Sequence, residues 1–248
     1  MSAALAPCHD QAEVLRRLEA DIIFGAFAPG SRLVEDALMA RYGASRHSVR
    51  QALVGLEHRG IVRREKNIGA TVCRFTETEI HQIYEVREML TRQAALMIRL
   101  PAPETIVLRL TALQDRYCDA IDAGDLRGIH EANDAFHVAF FAACENPYLV
   151  RLLQDYMGLT LPMRAKNLAD PEGLTQSRRQ HAVMIDLLRG RDPWALAQLC
   201  VEHMQFSKSD YLARISPERA EGGAGRLATS AGRWAAPRGE RRLNRPPK

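Results

Sequence analysis

Three histidines and an asparagine in the second half of the chain have side chains suited to binding a divalent cation. Asn133 and His137 are four residues apart, so both lie on one face of a single helix. His181 and His203 follow on two later segments that are rich in aliphatic residues and have helical spacing. Imidazole nitrogens and an amide oxygen from three antiparallel helices are able to converge on one metal ion inside a bundle. A metal site is therefore one interpretation of these four residues.

Spacing alone leaves other interpretations of this region open. A single histidine on a helix is more often an ordinary core or surface residue than a metal ligand. His130 lies on the same helical face as His137, and Asp134 is a rival ligand for Asn133, although it is rotated by about 100° from it. A metal-dependent hydrolase or lyase would use the same cation to activate water and would also need a general base. The available bases are Glu131, Asp134 and Glu202, and none has a sequence context typical of catalysis.

A second segment with recognisable chemistry lies near the N-terminus. Arg46, His47 and Arg50 project from the first turns of a predicted helix. The opposite face of that helix carries an apolar stripe: Val49, Leu53 and Leu56. Arginine binds guanine O6 and N7 in the major groove, while Ser48 and the helix N-terminus suit phosphate oxygens. DNA recognition is one interpretation, and a merely solvated helical face is the other.

The elements around this segment form a unit from about Gln11 to Arg74. Helical spacing predicts a first helix that ends near Gly25, a second over Leu33 to Arg41, and a third that Ser45 caps and Gly60 ends. Two β-type runs then flank residues 66–69, which indicates a hairpin. Three helices followed by a β-ribbon are typical of a winged helix-turn-helix. The tip of the hairpin, at Asn67 and Gly69, would contact the minor groove or the DNA backbone.

From Thr76 onward the pattern is helical almost without interruption. The predicted helices are 77–99, 103–123, 125–144, 147–168, 173–190 and 193–213. The fold class is therefore mainly α, with an N-terminal winged helix-turn-helix and a C-terminal antiparallel six-helix bundle. Four segments are expected. They are an N-terminal tail (1–10), the DNA-binding domain (11–75), the all-α domain (76–215) and a disordered basic tail (216–248).

Composition limits the classes of protein to which the chain could belong. The net charge is +3 over residues 1–74, −4 over 75–216 and +5 over 217–248, so the predicted domains are expected to meet different partners. No apolar run is long enough to cross a bilayer, and the N-terminus lacks the features of a secretory signal. The five cysteines form no CxxC pair, which indicates reduced thiols. We therefore expect a cytoplasmic protein without membrane partners.

The N-terminal unit resembles the GntR family of bacterial transcription regulators over its whole length. The resemblance is carried by Pro29–Leu33, Tyr42–Arg46, Val49–Leu53, Leu56–Val62 and Gly69–Val72. The family's DNA-contacting positions correspond to Arg46, His47, Ser48 and Arg50, with the wing tip at Asn67 to Gly69. His47 stands where the family commonly has threonine, and Ile68 where it often has a basic residue, so the resemblance does not specify the operator sequence.

The remainder, from about Thr76 to Leu212, resembles the effector-binding FCD domain of the FadR-like GntR subfamily. The matching stretches are Asn133–His137, Asn146–Leu149, Gln180–His181 and Glu202–His203. In metal-containing members the ligands are one aspartate and three histidines, which correspond to Asn133, His137, His181 and His203. The resemblance implies a divalent metal, zinc in the first place and nickel or manganese as alternatives. Because asparagine replaces the aspartate here, metal affinity should fall.

Taken together, the resemblance implies a homodimeric regulator, expected to be a repressor and not an enzyme. Its expected partners are double-stranded operator DNA and a small-molecule effector, either an organic acid or a related metabolite. Arg87 corresponds to a position that faces the effector cavity in the family, which implies pairing with a carboxylate. A surface arginine is the alternative for Arg87, and a pocket lined by histidines without metal is the alternative for the domain.

Overall fold

The protein is described from a computed structural model that covers residues 10–65, 69–161, 163 and 170–215. Most of the predicted N-terminal tail, the wing-tip residue Asn67 and the basic tail 216–248 lie outside the described residues. Over the described ranges the fold is nine helices and three short strands. Residues 11–75 are called the head and residues 76–215 the body.

The head contains three helices and one three-stranded sheet. Its elements are α1 (Gln11–Ile23), β1 (Arg32–Leu33), α2 (Glu35–Tyr42), α3 (Arg46–His58), β2 (Val62–Glu65) and β3 (Gly69–Val72). The strand order is β1-β3-β2 and both pairings are antiparallel. As predicted, Ser45 caps α3 by accepting a hydrogen bond from the backbone N–H of Ser48 at 3.1 Å. The apolar stripe of α3 is fully buried in the head's core.

The first strand and the start of the second helix differ from the sequence prediction. A helix was predicted from Leu33 to Arg41, but α2 begins at Glu35, and Arg32 and Leu33 pair with Thr71 and Ala70 of β3. Burial explains the difference, because Leu33 is only 2% exposed and fills the core beneath the sheet. Pairing with a neighbouring strand therefore outweighs helical spacing here.

The body is a six-helix bundle over the part of the chain that the structure describes, which confirms the predicted fold class. Its helices are α4 (Glu77–Met97), α5 (Glu104–Asp122), α6 (Leu126–Ala142), α7 (Pro147–Leu159), α8 (Pro171–Arg189) and α9 (Pro193–Ile215). The fourth of these was predicted over 147–168. It ends at Leu159, and residues 164–169 lie outside the described residues.

Local signals in the sequence determine where the body helices begin. Thr76 and Glu79 form a reciprocal capping box at the start of α4. Asn146 accepts a hydrogen bond from the Leu149 N–H, and Pro147 occupies the first turn of α7. These helices enclose an apolar core, with Phe136 and Phe140 of α6 fully buried in it. None of the described helices is both long enough and apolar enough to cross a bilayer.

Candidate functional site

Three histidines from three different helices of the body meet at one point. His137 of α6, His181 of α8 and His203 of α9 each offer a ring nitrogen, and these atoms all lie within 4.8 Å of one another. The Nε2 atoms of His137 and His203 are 3.2 Å apart. The centroids of the three rings are 4.9 to 5.0 Å from one another. These three imidazoles form what we call the histidine centre.

Two glutamines fix the orientation of two of these rings. Nδ1 of His181 lies 3.0 Å from Oε1 of Gln114, whose amide group donates a 3.0 Å hydrogen bond to the backbone carbonyl of Arg178. A carbonyl only accepts, so the amide oxygen of Gln114 must face the ring, and Nδ1 of His181 must carry the proton. Nδ1 of His203 lies 2.8 Å from Oε1 of Gln180. The bare Nε2 atom of His181 is therefore directed at the centre.

His181 is the most deeply buried member of the histidine centre. It is 0% exposed, and its ring stacks on Phe136 with the two centroids 4.1 Å apart. Within the described residues, Nε2 of His181 has no hydrogen-bond partner. Burial lowers the pKa of His181 well below its usual value, and neighbouring His203 lowers the pKa further. A buried, neutral imidazole with an unused lone pair is the form of histidine that binds a metal.

Asn133 lies next to the histidine centre, whereas the rival residues lie elsewhere. Asn133 is 7% exposed and lines a cavity together with His137 and His203. Asp134, one residue on, instead lines a groove between the head and the body. His130 lies 4.0 Å from Asp134 and is not a member of the centre.

The carboxylates considered as general bases also lie away from the histidines. Glu131 pairs with Arg127 at 2.9 Å on the exposed face of α6, and Glu202 accepts a hydrogen bond from Gln198 on the exposed face of α9. Among the described residues, no aspartate or glutamate joins the three histidines in a potential ligand cluster. Within the described ranges, the candidate ligands at the centre are therefore imidazoles, and the carboxylates considered as bases lie elsewhere.

Arg87 of α4 forms part of the cavity wall beside the histidine centre. It is 6% exposed, so it is not the surface arginine that the sequence left as an alternative. The cavity is also lined by Asn133, His137 and His203 and has a volume of about 40 Å³. Nη1 of Arg87 donates a 2.9 Å hydrogen bond to the hydroxyl of Thr160, just after α7. The structure thus brings the candidate effector residue and three of the four candidate metal ligands to one cavity, with His181 buried behind it.

In the head, the candidate DNA-reading side chains lie on the outer face of α3. The side chains of Arg46 and Arg50 are 52% and 55% exposed, and His47 is exposed between them. Arg46 pairs with Asp36 at 2.6 Å, and Nε of Arg50 bonds the carboxylate of Glu35 at 2.9 Å. These acidic residues of α2 were not singled out from the sequence, because they lie ten or more residues from their partners.

Ser48 differs from the other residues predicted to contact DNA. It is only 5% exposed, and its hydroxyl lies 2.9 Å from the hydroxyl of Ser45. The Ser48 hydroxyl therefore faces the N-cap of α3 in this conformation, and not the outer face that Arg46 and Arg50 occupy. Gly69 begins β3 and is exposed, whereas Asn67 lies outside the described residues.

A groove of about 610 Å³ runs along the surface of the head between α3 and the sheet. Its charged lining residues are Arg32, Glu35, Arg50, Glu57 and Arg64. Arg32 and Arg64 are exposed cations that were not predicted from the sequence. Each lies on a short strand, and the direction of its side chain depends on how that strand pairs in the sheet. Exposed arginines beside a helix that displays two more form a surface suited to the phosphates of a duplex.

Comparisons with known proteins agree with this two-part architecture. The profile of the bacterial regulatory proteins, gntR family, matches residues 10–72, and that of the FCD domain matches residues 82–206. The HTH-type transcriptional repressor RspR of Escherichia coli is 26% identical over 200 residues, which cover 78% of this chain and 85% of that protein. The gluconate operon transcriptional repressor of Bacillus subtilis is 26% identical over 187 residues, or 72% of this chain and 75% of that protein. The solved structure of E. coli McbR/YncC has a TM-score of 0.63 at 20% identity and covers 88% of this chain and 99% of that one.

Proposed function

The chain belongs to the GntR family of bacterial transcription regulators and carries an FCD domain, and we propose that it is an operator-binding repressor controlled by a small carboxylate. Relatives named as repressors favour repression. The observation that carries the proposal is the convergence of three histidines beside the buried Arg87, in a chain whose head displays two arginines on a recognition helix.

The head would bind duplex DNA through α3. Arg46 and Arg50 are held at the exposed N-terminal half of this helix, where the side chains of a helix-turn-helix meet base edges in the major groove. His47 lies between them and is available to a base or a phosphate. Gly69 and the wing tip at Asn67 would follow the adjacent backbone or minor groove. The exposed arginines of the neighbouring groove would add phosphate contacts that do not depend on the base sequence.

The body would hold a divalent cation between His137, His181 and His203, with the amide oxygen of Asn133 as a further donor. The residues present fit such an ion, because His181 has a buried nitrogen without a partner and Gln114 holds the ring in the tautomer that binds metal. Nitrogen-rich donor sets suit zinc and nickel, whereas manganese, the other alternative, prefers oxygen donors. When bound, the cation would supply a Lewis acid with coordination positions open to a carboxylate.

Arg87 would bind the effector from the wall of the same cavity. A guanidinium and a carboxylate form charge-assisted hydrogen bonds that are shorter and stronger than those between neutral groups. One relative is named for a gluconate operon, and gluconate is itself a carboxylate, so its class fits both the cation and Arg87. We infer a small organic acid, or a metabolite that carries a carboxylate, as the effector.

We also propose that the protein acts as a homodimer with one head on each half-site of a near-palindromic operator. Large apolar side chains are exposed on the outer face of the body. Tyr148 and Leu152 lie one turn apart on α7 at 83% and 51% exposure, and Met89 of α4 is 67% exposed. Covering such side chains is the usual role of a subunit interface.

DNA recognition is tested by substituting the two arginines of α3. We expect Arg46→Ala and Arg50→Ala each to remove selective binding to a duplex chosen by the wild-type protein from a random library, with the fold intact by circular dichroism. Arg127→Ala is the control, since Arg127 is an exposed, ion-paired arginine of the body. Wild-type affinity should fall with salt at a slope of about −0.9 per phosphate neutralised. Unchanged preference over a scrambled duplex in both variants would contradict the assignment of α3.

The metal site is tested by elemental analysis of protein purified without added metal. We expect stoichiometric zinc, nickel or manganese in the wild type, its loss from His181→Ala and His203→Ala, and its retention in the control His130→Ala. Equal metal content in all four proteins would show that the site is misplaced. Absence of metal from a wild type that still binds the selected duplex would favour the alternative of a metal-free effector pocket.

A further inference from the structure

The segment at the end of α7 packs on the head and also bonds Arg87, which lines the effector cavity. Leu161 is 3% exposed and packs into the hydrophobic core of the head. A side chain added at Gly158 would lie 3.0 Å from the backbone oxygen of Arg59, at the C-terminus of the recognition helix. One added at Gly60 would collide with Leu159. Residues 158–161 therefore pack closely on the turn that follows α3.

Thr160 lies within this contact, but its side chain belongs to the body. It is 0% exposed, and its hydroxyl accepts the 2.9 Å hydrogen bond from Arg87. The same hydroxyl donates to the backbone carbonyl of Tyr156 at 3.1 Å, which ties it to the last turn of α7. Thr160 thus bonds Arg87 in the cavity wall, while the residues on either side of Thr160 pack against the head.

The cavity beside Arg87 is too small for an organic acid in its present form. Its volume of about 40 Å³ is far below that of ligand pockets, which usually measure roughly 300 to 1,000 Å³. Binding an acid would therefore have to displace part of the wall. A carboxylate is also a stronger acceptor for a guanidinium than a neutral hydroxyl, so it would compete with Thr160 for Arg87.

Resting on the function proposed above, we propose that Thr160 is the positioning residue that couples the effector cavity to the recognition helix. The Arg87–Thr160 hydrogen bond holds the end of α7 against Arg59 and Gly60, and this docked arrangement is the one that binds the operator. A carboxylate that takes Arg87 breaks the bond and loosens the end of α7 from the head. Coupling through the end of α7 is distinct from coupling through the linker at Arg74 and Phe75, which joins the wing to α4 along the chain.

The direct test replaces Thr160 by valine, which removes the hydroxyl and keeps the shape. We expect Thr160→Val to weaken binding to the selected duplex roughly three- to tenfold, the effect of losing one buried hydrogen bond, while zinc affinity stays within twofold of wild type. Thr160→Ser restores the hydroxyl and should return the duplex affinity to within twofold. The matched control is Thr111→Val, because the Thr111 hydroxyl bonds its own helix, α5, at the Val107 carbonyl, at 2.9 Å.

A second readout needs neither operator nor effector. The backbone amides of Arg59, Gly60 and Ile61 bond the last turn of α3, and their hydrogen exchange in the full chain reports on the docking of α7. We expect Thr160→Val to speed their exchange about threefold or more and Thr111→Val to leave it unchanged. The coupling is refuted if Thr160→Val has both wild-type exchange at these amides and wild-type affinity for the duplex. It is also refuted if Thr160→Val binds the duplex more tightly than the wild type does. If the wild type selects no duplex, the proposed function is refuted instead. The exchange rates at Arg59 to Ile61 would still show whether Thr160 holds the end of α7 against the head.

Gly158→Ala is an independent test if Thr160→Val fails to fold. Alanine in place of glycine stabilises a free helix by about 0.5–1 kcal/mol, but here the new methyl group presses on the Arg59 backbone oxygen. We therefore expect faster exchange at Arg59 to Ile61 and severalfold weaker duplex binding, with zinc affinity unchanged. Wild-type duplex affinity together with wild-type exchange in this variant would overturn the proposed docking.

Discussion

Replacing Gln114 by leucine tests whether the histidine centre binds metal through a prepared tautomer. Gln114 bonds Nδ1 of His181 through Oε1, at 3.0 Å, and is not itself a proposed ligand, so the change leaves all three proposed histidine ligands in place. Without the acceptor, a fully buried N–H has no partner, and the ring is no longer held with its bare Nε2 toward the centre. Loss of such a supporting residue typically lowers metal affinity by about 10- to 100-fold, which is about 1.4–2.8 kcal/mol.

The same loss is predicted to appear in thermal stability. At free zinc of about 100 times the wild-type dissociation constant, binding stabilises the fold by about 2.7 kcal/mol. For a chain of this size that corresponds to a rise in Tm of roughly 5–11 °C. At the same free zinc, an affinity lowered 10- to 100-fold leaves about 1.4 to 0.4 kcal/mol of stabilisation. The zinc-induced rise in Tm should therefore shrink to roughly 1–6 °C in Gln114→Leu.

Zinc affinity is measured by competition with a chromophoric chelator. The rise in Tm is measured by thermal unfolding without zinc and with the free zinc concentration held constant by a metal buffer. Gln198→Leu is the matched control, because Gln198 is an exposed glutamine whose hydrogen bonds go to Arg92 and Glu202, away from the histidines. We expect its zinc affinity to stay within twofold of wild type. Wild-type zinc affinity in Gln114→Leu would show that His181 is not a ligand or that its orientation does not matter.

Three further changes give results of known direction. Asn133→Asp should lower the Tm of the metal-free protein, because it buries a carboxylate, yet tighten zinc roughly tenfold; weaker zinc binding would remove Asn133 from the ligand set. Glu35→Gln removes a carboxylate beside Arg46 and Arg50 and should raise affinity for a non-specific duplex roughly fivefold at low salt in fluorescence anisotropy, an increase worth about 1 kcal/mol. A lower affinity would contradict this repulsive role of Glu35. Leu56→Ala should destabilise the head by about 2–5 kcal/mol in urea unfolding, and a loss below about 1 kcal/mol would contradict its place in the core.

The sequence was most informative where local physical chemistry dominates. The stripe of Val49, Leu53 and Leu56 and the cap at Ser45 predicted α3 and its buried face, and the structure confirms both. The periodicity after Thr76 predicted the six helices of the body. Each of these features depends on residues within about two turns of one another, so no knowledge of tertiary packing was needed.

Partners that are distant in sequence were not predictable in this way. Gln114 lies 67 residues before His181, and Glu35 lies 15 residues before Arg50, so neither pairing has a signal in the spacing. Strand β1 is only two residues long and exists because Leu33 is buried against β3. The contact of Thr160 with Arg87 spans 73 residues and depends on how α4 and α7 pack. In each case tertiary packing, and not a local pattern, determines the partner.

The arginines of α3 form ion pairs with acidic side chains of α2, and these pairs are weak enough to be replaced by contacts with DNA. Exposed pairs such as Arg46–Asp36 and Arg50–Glu35 contribute about 0–1 kcal/mol each, since water and salt screen both charges. One good bidentate contact between arginine and guanine is worth about 1–3 kcal/mol of discrimination against another base. The free energy needed to break one of these ion pairs is therefore no larger than the discrimination that one correct base contact provides. The carboxylates of α2 would lower the affinity for every duplex, because they compete for the guanidinium groups and repel the phosphates nearby, so the base contacts of Arg46 and Arg50 would decide between sequences.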